Sequence, residues 1–475
     1  MLKTWSHKSK LQESGLRSSE LGEVIDDPAS SHDAVFGDIS GKGPNYRNVG
    51  WLGTVALMMK TQIGLGVLSI PAAFDTLGIV PGVLVLCAIS AITTWSDYIV
   101  GVFKLRHREV YSIDDAGQLM FGRIGREVMG VAFCLSGSGM LGISIGLNAV
   151  STHGTCTAVF VAVAAIVGFL FGSIQTLGRI SWLAWIGLIC ILSSILTVTV
   201  AVGIQDRPAS APQTGEWSSD FKIINHPSFT EAITAVSAIV FAFAGTPAFF
   251  AIASEMRDPK LYTRSLIICQ SGVTAIYIAI GCVVYYFCGS FVASPALGSA
   301  GTTMKKVCYG LALPGLMVTT ILVIHVPEAE LISGKLPGKY MFVRFLRGTK
   351  HLASNTIIHW ATWFGCTFGV TAIAYIIASA IPVFGGLVSL IGALLGTFLS
   401  FMPMGCMWFY DNWARGKTEK TWSWRLMVLW SVFVIVSGTF LMIAGTYGSV
   451  VGIMDSYKES GGSAAFSCAD NSNST

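Results

Sequence analysis

Charge is what this chain lacks. Of its 475 residues, only 12% are Asp, Glu, Lys or Arg, while 53% are apolar. A soluble protein of this length carries about twice that charged fraction, so a water-soluble globular fold is excluded. No nucleic-acid partner is expected. Metal-ligand spacing is missing too. The eleven cysteines are scattered, with no C-x-x-C pair, and most sit in apolar runs as small hydrophobes. No metal centre is expected. Cys288 and Cys308 flank one expected outside loop, and they are the pair placed to bridge it if any does. An ATP-binding motif and a convergent set of catalytic side chains are also absent. The chain therefore reads as neither an enzyme nor a cofactor protein, and its energy source would be an ion gradient. A cleavable signal peptide is absent as well. The first 49 residues are polar, so the first apolar segment would act as an uncleaved anchor.

What is present is a series of apolar runs of about 20 residues or more, the span of a bilayer core. The mean hydropathy is +0.65. The fold class expected is an all-α polytopic membrane protein in a lipid bilayer. The expected spans are 50–74, 76–103, 128–151, 156–177, 180–203, 229–254, 265–293, 307–328, 357–380, 385–409 and 426–450. Lys and Arg decide the orientation. With the N-terminus inside, 24 of the 30 fall on the cytoplasmic side and five on the other, leaving Lys60 within a helix. The C-terminus is then extracellular. The organisation reads as a disordered cytoplasmic tail (1–49) and a first five-helix repeat (50–203). An extracellular loop (204–228) and a second repeat (229–410) follow. A cytoplasmic loop with an eleventh helix (411–450) and a disordered extracellular tail (451–475) complete the chain. Nothing in the sequence specifies an oligomeric state.

Two segments are badly built for continuous helix. In the first, Lys60-Thr61-Gln62-Ile63-Gly64-Leu65-Gly66-Val67 precedes Pro71. Each glycine weakens a helix by roughly 1 kcal/mol. In the sixth, Gly245-Thr246-Pro247 lies mid-span, and the proline removes one backbone donor. Freed backbone groups in hydrocarbon cost several kcal/mol unless something satisfies them. Breaks at the first helix of each five-helix half suggest an inverted repeat and a substrate site. The expected substrate backbone contacts are Ile63, Gly64, Leu65, Gly66 and Val67 on one break, and Phe243, Ala244, Gly245 and Thr246 on the other. Free N–H groups at the start of the outer half-helix suit a carboxylate, with bare Gly66 as its seat. Carbonyls at Phe243, Ala244 and Gly245 suit an ammonium. The surroundings are otherwise apolar, so a neutral aliphatic or aromatic amino acid is favoured.

Ionisable groups inside a membrane are suspects for coupling. Lys60 lies about 14 Å along the helix from Trp51. Its functional reading is a charge that occupies the place of a coupling cation or that changes protonation during the cycle, since burial lowers a lysine pKa. The other reading is a lysine snorkelling to cytoplasmic water. Glu255 ends segment six, where Lys60 or loop bases such as Arg257 could pair with it as an inner gate. Thr319, Thr320 and His325 in segment eight complete the coupling candidates, the histidine because it titrates near neutral pH. A positive Lys60 disfavours sodium, so protons are the expected coupling ion.

These residues resemble a known family. Asn48-Val49-Gly50-Trp51 and the stretch from Met59 to Pro71 are similar to the first helix of fungal members of the amino acid/auxin permease family. Further matches are Gly137-Ser138-Gly139-Met140-Leu141, Ser254-Glu255-Met256 with Asp258-Pro259, and Lys339-Tyr340-Met341-Phe342-Val343-Arg344. Ile381-Pro382-Val383-Phe384-Gly385-Gly386 and Pro403-Met404-Gly405-Cys406 also match. The resemblance implies a LeuT-like 5+5 fold with eleven helices, proton symport, and uptake of neutral amino acids at the plasma membrane. Export from a vacuole and amino acid sensing without transport are the alternatives on the same fold. Two departures stand out: segment three is short by about a turn and a half of helix after Leu135, and residues 328–338 intervene before Lys339.

Overall fold

The computed structural model describes residues 32–33, 37–38, 49–135, 139–152, 154–172, 181–208, 210–212, 214–325, 357–381, 383–418, 421–459 and 468. The short third segment at residues 136–138 and the intervening residues 328–338 lie outside these. A two-residue antiparallel pair, β1 (His32–Asp33) with β2 (Gly37–Asp38), is the β-structure described. An isolated bridge joins Val49 to Met256, and the apolar spans are helical.

The first span is α1 (Trp51–Gln62), a 3-10 turn (Gly66–Ser69) and α2 (Ile70–Leu77). Its two halves bend by 44°, because Ile63 leaves the helix at ψ 88°. Pro71, near the start of α2, needs no helical donor there. Next come α3 (Ile79–Arg106), α4 (Ile113–Leu135), α5 (Gly139–Ser151), α6 (Thr157–Gly172) and α7 (Ser181–Ile204). The second broken span is α8 (Phe229–Ala242) followed by α9 (Thr246–Ser254). A capping box at Ser228 and Glu231 starts α8. Then follow α10 (Tyr262–Cys288), α11 (Thr302–His325) and α12 (Ile357–Ala380). A third interrupted span contains α13 (Phe384–Ile391), a π-turn (Gly392–Gly396), α14 (Thr397–Ser400) and α15 (Met402–Asn412). The single turn α16 (Arg415–Thr418) and the long α17 (Trp422–Glu459) complete the fold.

Among the described residues, seven helices are long and apolar enough to cross a membrane, and the bent first span makes an eighth. The three remaining sequence segments, 128–151, 156–177 and 307–328, each run into residues outside the description. The broken spans form the interior. In the most apolar part of α8–α9, 78% is buried, against 22% for α17, which flanks the bundle. The halves α1–α2 and α8–α9 pack on each other and are enclosed by α3, α7, α10, α11 and α13.

Cys288 and Cys308 do not bridge. Both are buried free thiols, on α10 and α11. The disulfide joins Cys156, at the start of α6, to Cys468 beyond α17. Two cysteines 312 residues apart carry no local signal of pairing. The connection between α7 and α8 is tied to the end of α10. Asp220 accepts from Ser290 N at 2.8 Å and from Ser290 Oγ at 2.6 Å. Partial burial pushes the Asp220 carboxyl up, but the Ser290 bonds and nearby Lys222 prevail and hold it below the ordinary carboxylate value.

Candidate functional site

The two breaks meet. An ideal Cβ on Gly66 would lie 2.9 Å from Ala242 Cβ and closer still to its Cα. The absent side chain therefore lets two interrupted helices touch, and Gly66 does not face an open seat. This corrects the expectation that a larger residue there would merely fill the carboxylate position. Gly245 plays the reciprocal part on the second break. Its ideal Cβ would lie 2.9 Å from Gln62 Cγ and 3.0 Å from Thr61 Oγ1.

The backbone on the two sides differs in character. From Gly64 to Val67, four consecutive N–H groups make no hydrogen bond, although all four residues are buried. On the second break the N–H groups are used, by Phe243, Ala244 and Gly245. There the carbonyls have capacity: Ala244 O accepts nothing, while Phe243 O and Gly245 O accept one bond each. A carbonyl oxygen has two lone pairs. One break thus presents donors and the other acceptors, with Phe243 and Thr246 buried beside them. Side chains complete the wall. Ile63 and Val67 are fully buried, and Leu65 lies against Gly142 of α5.

Lys60 is fully buried and does not snorkel. Its Nζ donates to Ile63 O at 3.3 Å and to Thr319 Oγ1 of α11. Thr319 passes its own proton to Gly315 O at 3.0 Å. The ammonium therefore links the end of α1 to α11, with Gly187 of α7 packed on its stem. Glu255 is not its partner. Glu255 instead marks the inner end of the span, where its carbonyl accepts from Val49 N at 3.2 Å and Arg257 N reaches Val49 O at 2.9 Å. Arg264 lies 4.4 Å over the Trp51 ring beside this crossing. Thr320 donates within its own helix, to Leu316 O at 3.1 Å. His325 is the last residue of α11, and its side chain lies outside the described residues.

Sequence reasoning does not select three residues that the fold brings to the breaks. Gln62 is buried, and neither atom of its side-chain amide has a hydrogen-bond partner. Its signal was an uncharged polar residue directly before the break. Tyr277 of α10 places its hydroxyl 2.9 Å from Gln62 O and 2.8 Å from Ala242 O. One proton is thus shared between the last carbonyls of α1 and α8, the ends that helices leave unsatisfied. Asp97 of α3 is the third, fully buried. We expect Tyr277→Phe to keep the ring contact with Phe243, at 5.0 Å between centroids. It would orphan the two carbonyls at a cost of about 1–3 kcal/mol. Thermal unfolding of the purified variant would show the loss, and an unchanged midpoint would argue that the hydroxyl does not staple the breaks.

The third interruption also touches the site. A Cβ on Gly396 would lie 3.3 Å from Ala244 Cβ, and one on Gly392 would strike Ser237 O of α8. The small-x-x-x-small spacing of Gly392 and Gly396 was its trace in the sequence.

Residues 47–451 match the model of a family described as transmembrane amino acid transporter protein. The chain is 34% identical over 437 residues to a transmembrane transporter of Gibberella moniliformis, covering 90% of this chain and 89% of that one. It is 33% identical over 437 residues to the N amino acid transport system protein of Neurospora crassa, covering 89% of each. It is 23% identical over 429 residues to the sodium-coupled neutral amino acid transporter 7 of Danio rerio, covering 82% of this chain and 85% of that one. With its apolar helices broken where donors face acceptors, the chain belongs to the transmembrane amino acid transporter family, the amino acid/auxin permeases that its motifs resemble.

Proposed function

We propose that this chain is a proton-coupled importer of neutral amino acids. The two breaks carry the reading. Four buried N–H groups without partners on one side, and acceptor carbonyls on the other, form a recognition surface for a zwitterion. The walls are Ile63, Leu65, Val67 and Phe243. These wall side chains are apolar, and Lys60 beside the first break is already engaged by Ile63 O and Thr319 Oγ1, so neutral α-amino acids fit best. The name of the Neurospora crassa relative supports amino acid transport, and that of the Danio rerio relative supports neutral substrates.

The coupling ion is argued from Lys60. Its ammonium lies between Ile63 O and Thr319 Oγ1, and oxygen atoms of this kind are what a small hard cation binds. A positive charge already there repels a second one. The reading therefore departs from the sodium in the Danio rerio relative's name. A LeuT-like 5+5 arrangement of eleven spans is supported by breaks in the first and sixth. Rocking of one repeat on the other would alternate access. A plasma-membrane location follows the family resemblance, and a cytoplasmic N-terminus with the C-terminus on the opposite face is supported by the positive-inside count. The Cys156–Cys468 bridge adds to it, requiring both ends on one side and an oxidising environment.

Uptake of a panel of radiolabelled amino acids by a permease-deficient host, at two external pH values and with sodium replaced by potassium, tests the proposal. The expected result is neutral amino acid uptake that rises as external pH falls and ignores the replacement. Strict sodium dependence would overturn the coupling, and signalling without uptake would favour a sensor.

A further inference from the structure

Asp97 sits mid-span on α3 with no cation beside it. It is fully buried, and among the described residues it has no ion-pair partner. Nine residues separate it from Arg106 at the end of α3, about 14 Å of helix. Thr246 lies eight residues from Ser254 at the end of α9, about 12 Å, so the two sit at similar depth. Three helices converge there. Gln270 Nε2 of α10 donates to Asp97 Oδ2, and Tyr262 OH donates to the Asp97 carbonyl at 2.8 Å. Thr246, the first residue of α9, borders the same carboxyl without reaching hydrogen-bond geometry.

The polar atoms of this cluster do not balance. Asp97 Oδ1, Gln270 Oε1 and Thr246 Oγ1 are all buried and all without a hydrogen bond. An uncompensated charge in hydrocarbon is costly, and so is each orphaned acceptor. One added proton changes both terms: it removes the charge and supplies a donor among the acceptors. We propose that Asp97 is the proton-binding group of the transport cycle and that it acts through Thr246. This inference rests on the proton-symport reading above.

The step is simple. The Asp97 carboxylate takes a proton from hydronium on Oδ1, giving the neutral acid and water. As a carboxylate, Oδ1 can only accept a hydrogen bond from the Thr246 hydroxyl when the two close to bonding distance. As an acid, its O–H donates to Thr246 Oγ1, and the Thr246 proton turns toward the break. Proton binding thus reverses one hydrogen bond and frees the Thr246 hydroxyl toward the substrate at the second break.

The titratable groups facing Asp97 from α10 are Tyr262 and Cys269. The packed elements α9 and α14 carry none. Those on α15 are Cys406, Tyr410 and Asp411, and Asp411 is held by Arg106 and His107 at the end of α3. Asp75 of α2 and Glu231 of α8 belong to the opposite ends of their helices. Cys87, Tyr98, Lys104 and Arg106 share α3 with it.

The test uses the full chain in proteoliposomes, with a pH-sensitive dye for substrate-driven proton flux and tracer binding across pH. Wild type should show proton flux and tighter amino acid binding at low pH. Asp97→Asn, which offers a permanent donor to Thr246, should bind at every pH as wild type does at low pH, exchange substrate, and carry no proton flux. Retention of the wild-type flux and pH profile in the variant would overturn the proposal. Absence of flux in wild type would instead defeat the proton-symport reading itself. Should Asp97→Asn fail to fold, wild type treated with a hydrophobic carbodiimide, which adds to protonated buried carboxyls, decides. The α3 peptide should gain the adduct increasingly as pH falls, and an unmodified Asp97 throughout would refute the assignment.

Discussion

Gly66→Ala should abolish uptake and lower thermal stability together. A single methyl at this position would lie 2.9 Å from Ala242 Cβ and nearer to its Cα, and backbone cannot swing aside as a flexible side chain can. Interiors are close-packed, so the added atom forces the helices apart. Overpacking costs about 1–3 kcal/mol in ordinary cores. Here the separation falls between the donor break and the acceptor break, whose spacing must match one amino acid. A displacement of about 1 Å at such a site can cost two orders of magnitude in function. Gly365→Ala on α12 is the control, because nothing lies within 4 Å of its ideal Cβ. Tracer uptake normalised to surface protein, with a melting curve for each variant, checks the result. If Gly66→Ala transports and melts like Gly365→Ala, the two breaks do not work as a packed pair.

Both of these breaks were legible in the sequence because glycine and proline act locally. Gly64, Gly66 and Pro247 disrupt helix wherever they stand, and their placement at matching segments was visible without coordinates. The third interruption was less legible. Gly392-Ala393-Leu394-Leu395-Gly396 contains good helix formers between its glycines, and the π-turn appears where this segment packs against Ser237 and Ala244. Tertiary contact therefore decides it. The side-chain constellation was mostly hidden for a related reason. Tyr277 reaches Gln62 across 215 residues, Gln270 reaches Asp97 across 173, and Lys60 reaches Thr319 across 259. One sequence has no signal that pairs such positions. Asp97 was visible as an acid inside an apolar run, but only the convergence of α3, α9 and α10 distinguishes it from an acid that reaches water. For Lys60 the sequence left snorkelling and coupling open, and burial together with Thr319 removes the first.

Lys60→Met should reduce uptake to background while the protein reaches the membrane. Methionine nearly preserves the stem that packs on Gly187, where an ideal Cβ would lie 2.9 Å from Lys60 Cε. It removes the three ammonium donors and the charge. Ile63 O and Thr319 Oγ1 then lose a charged hydrogen bond each, worth about 1.5–3 kcal/mol. Those bonds tie the break after α1 to α11, so their loss frees the donor strand from the helix against which it is positioned. Arginine is no remedy, because its planar fork is larger than an ammonium and Gly187 already packs on the stem, and the two residues are not interchangeable at a packed site. Removal of the charge also leaves two oxygens facing one another without a cation, so sodium should slow the thermal unfolding of Lys60→Met and leave wild type unaffected. Uptake by Lys60→Met at the wild-type rate, with the wild-type response to pH, would show that the ammonium neither positions the break nor takes part in coupling.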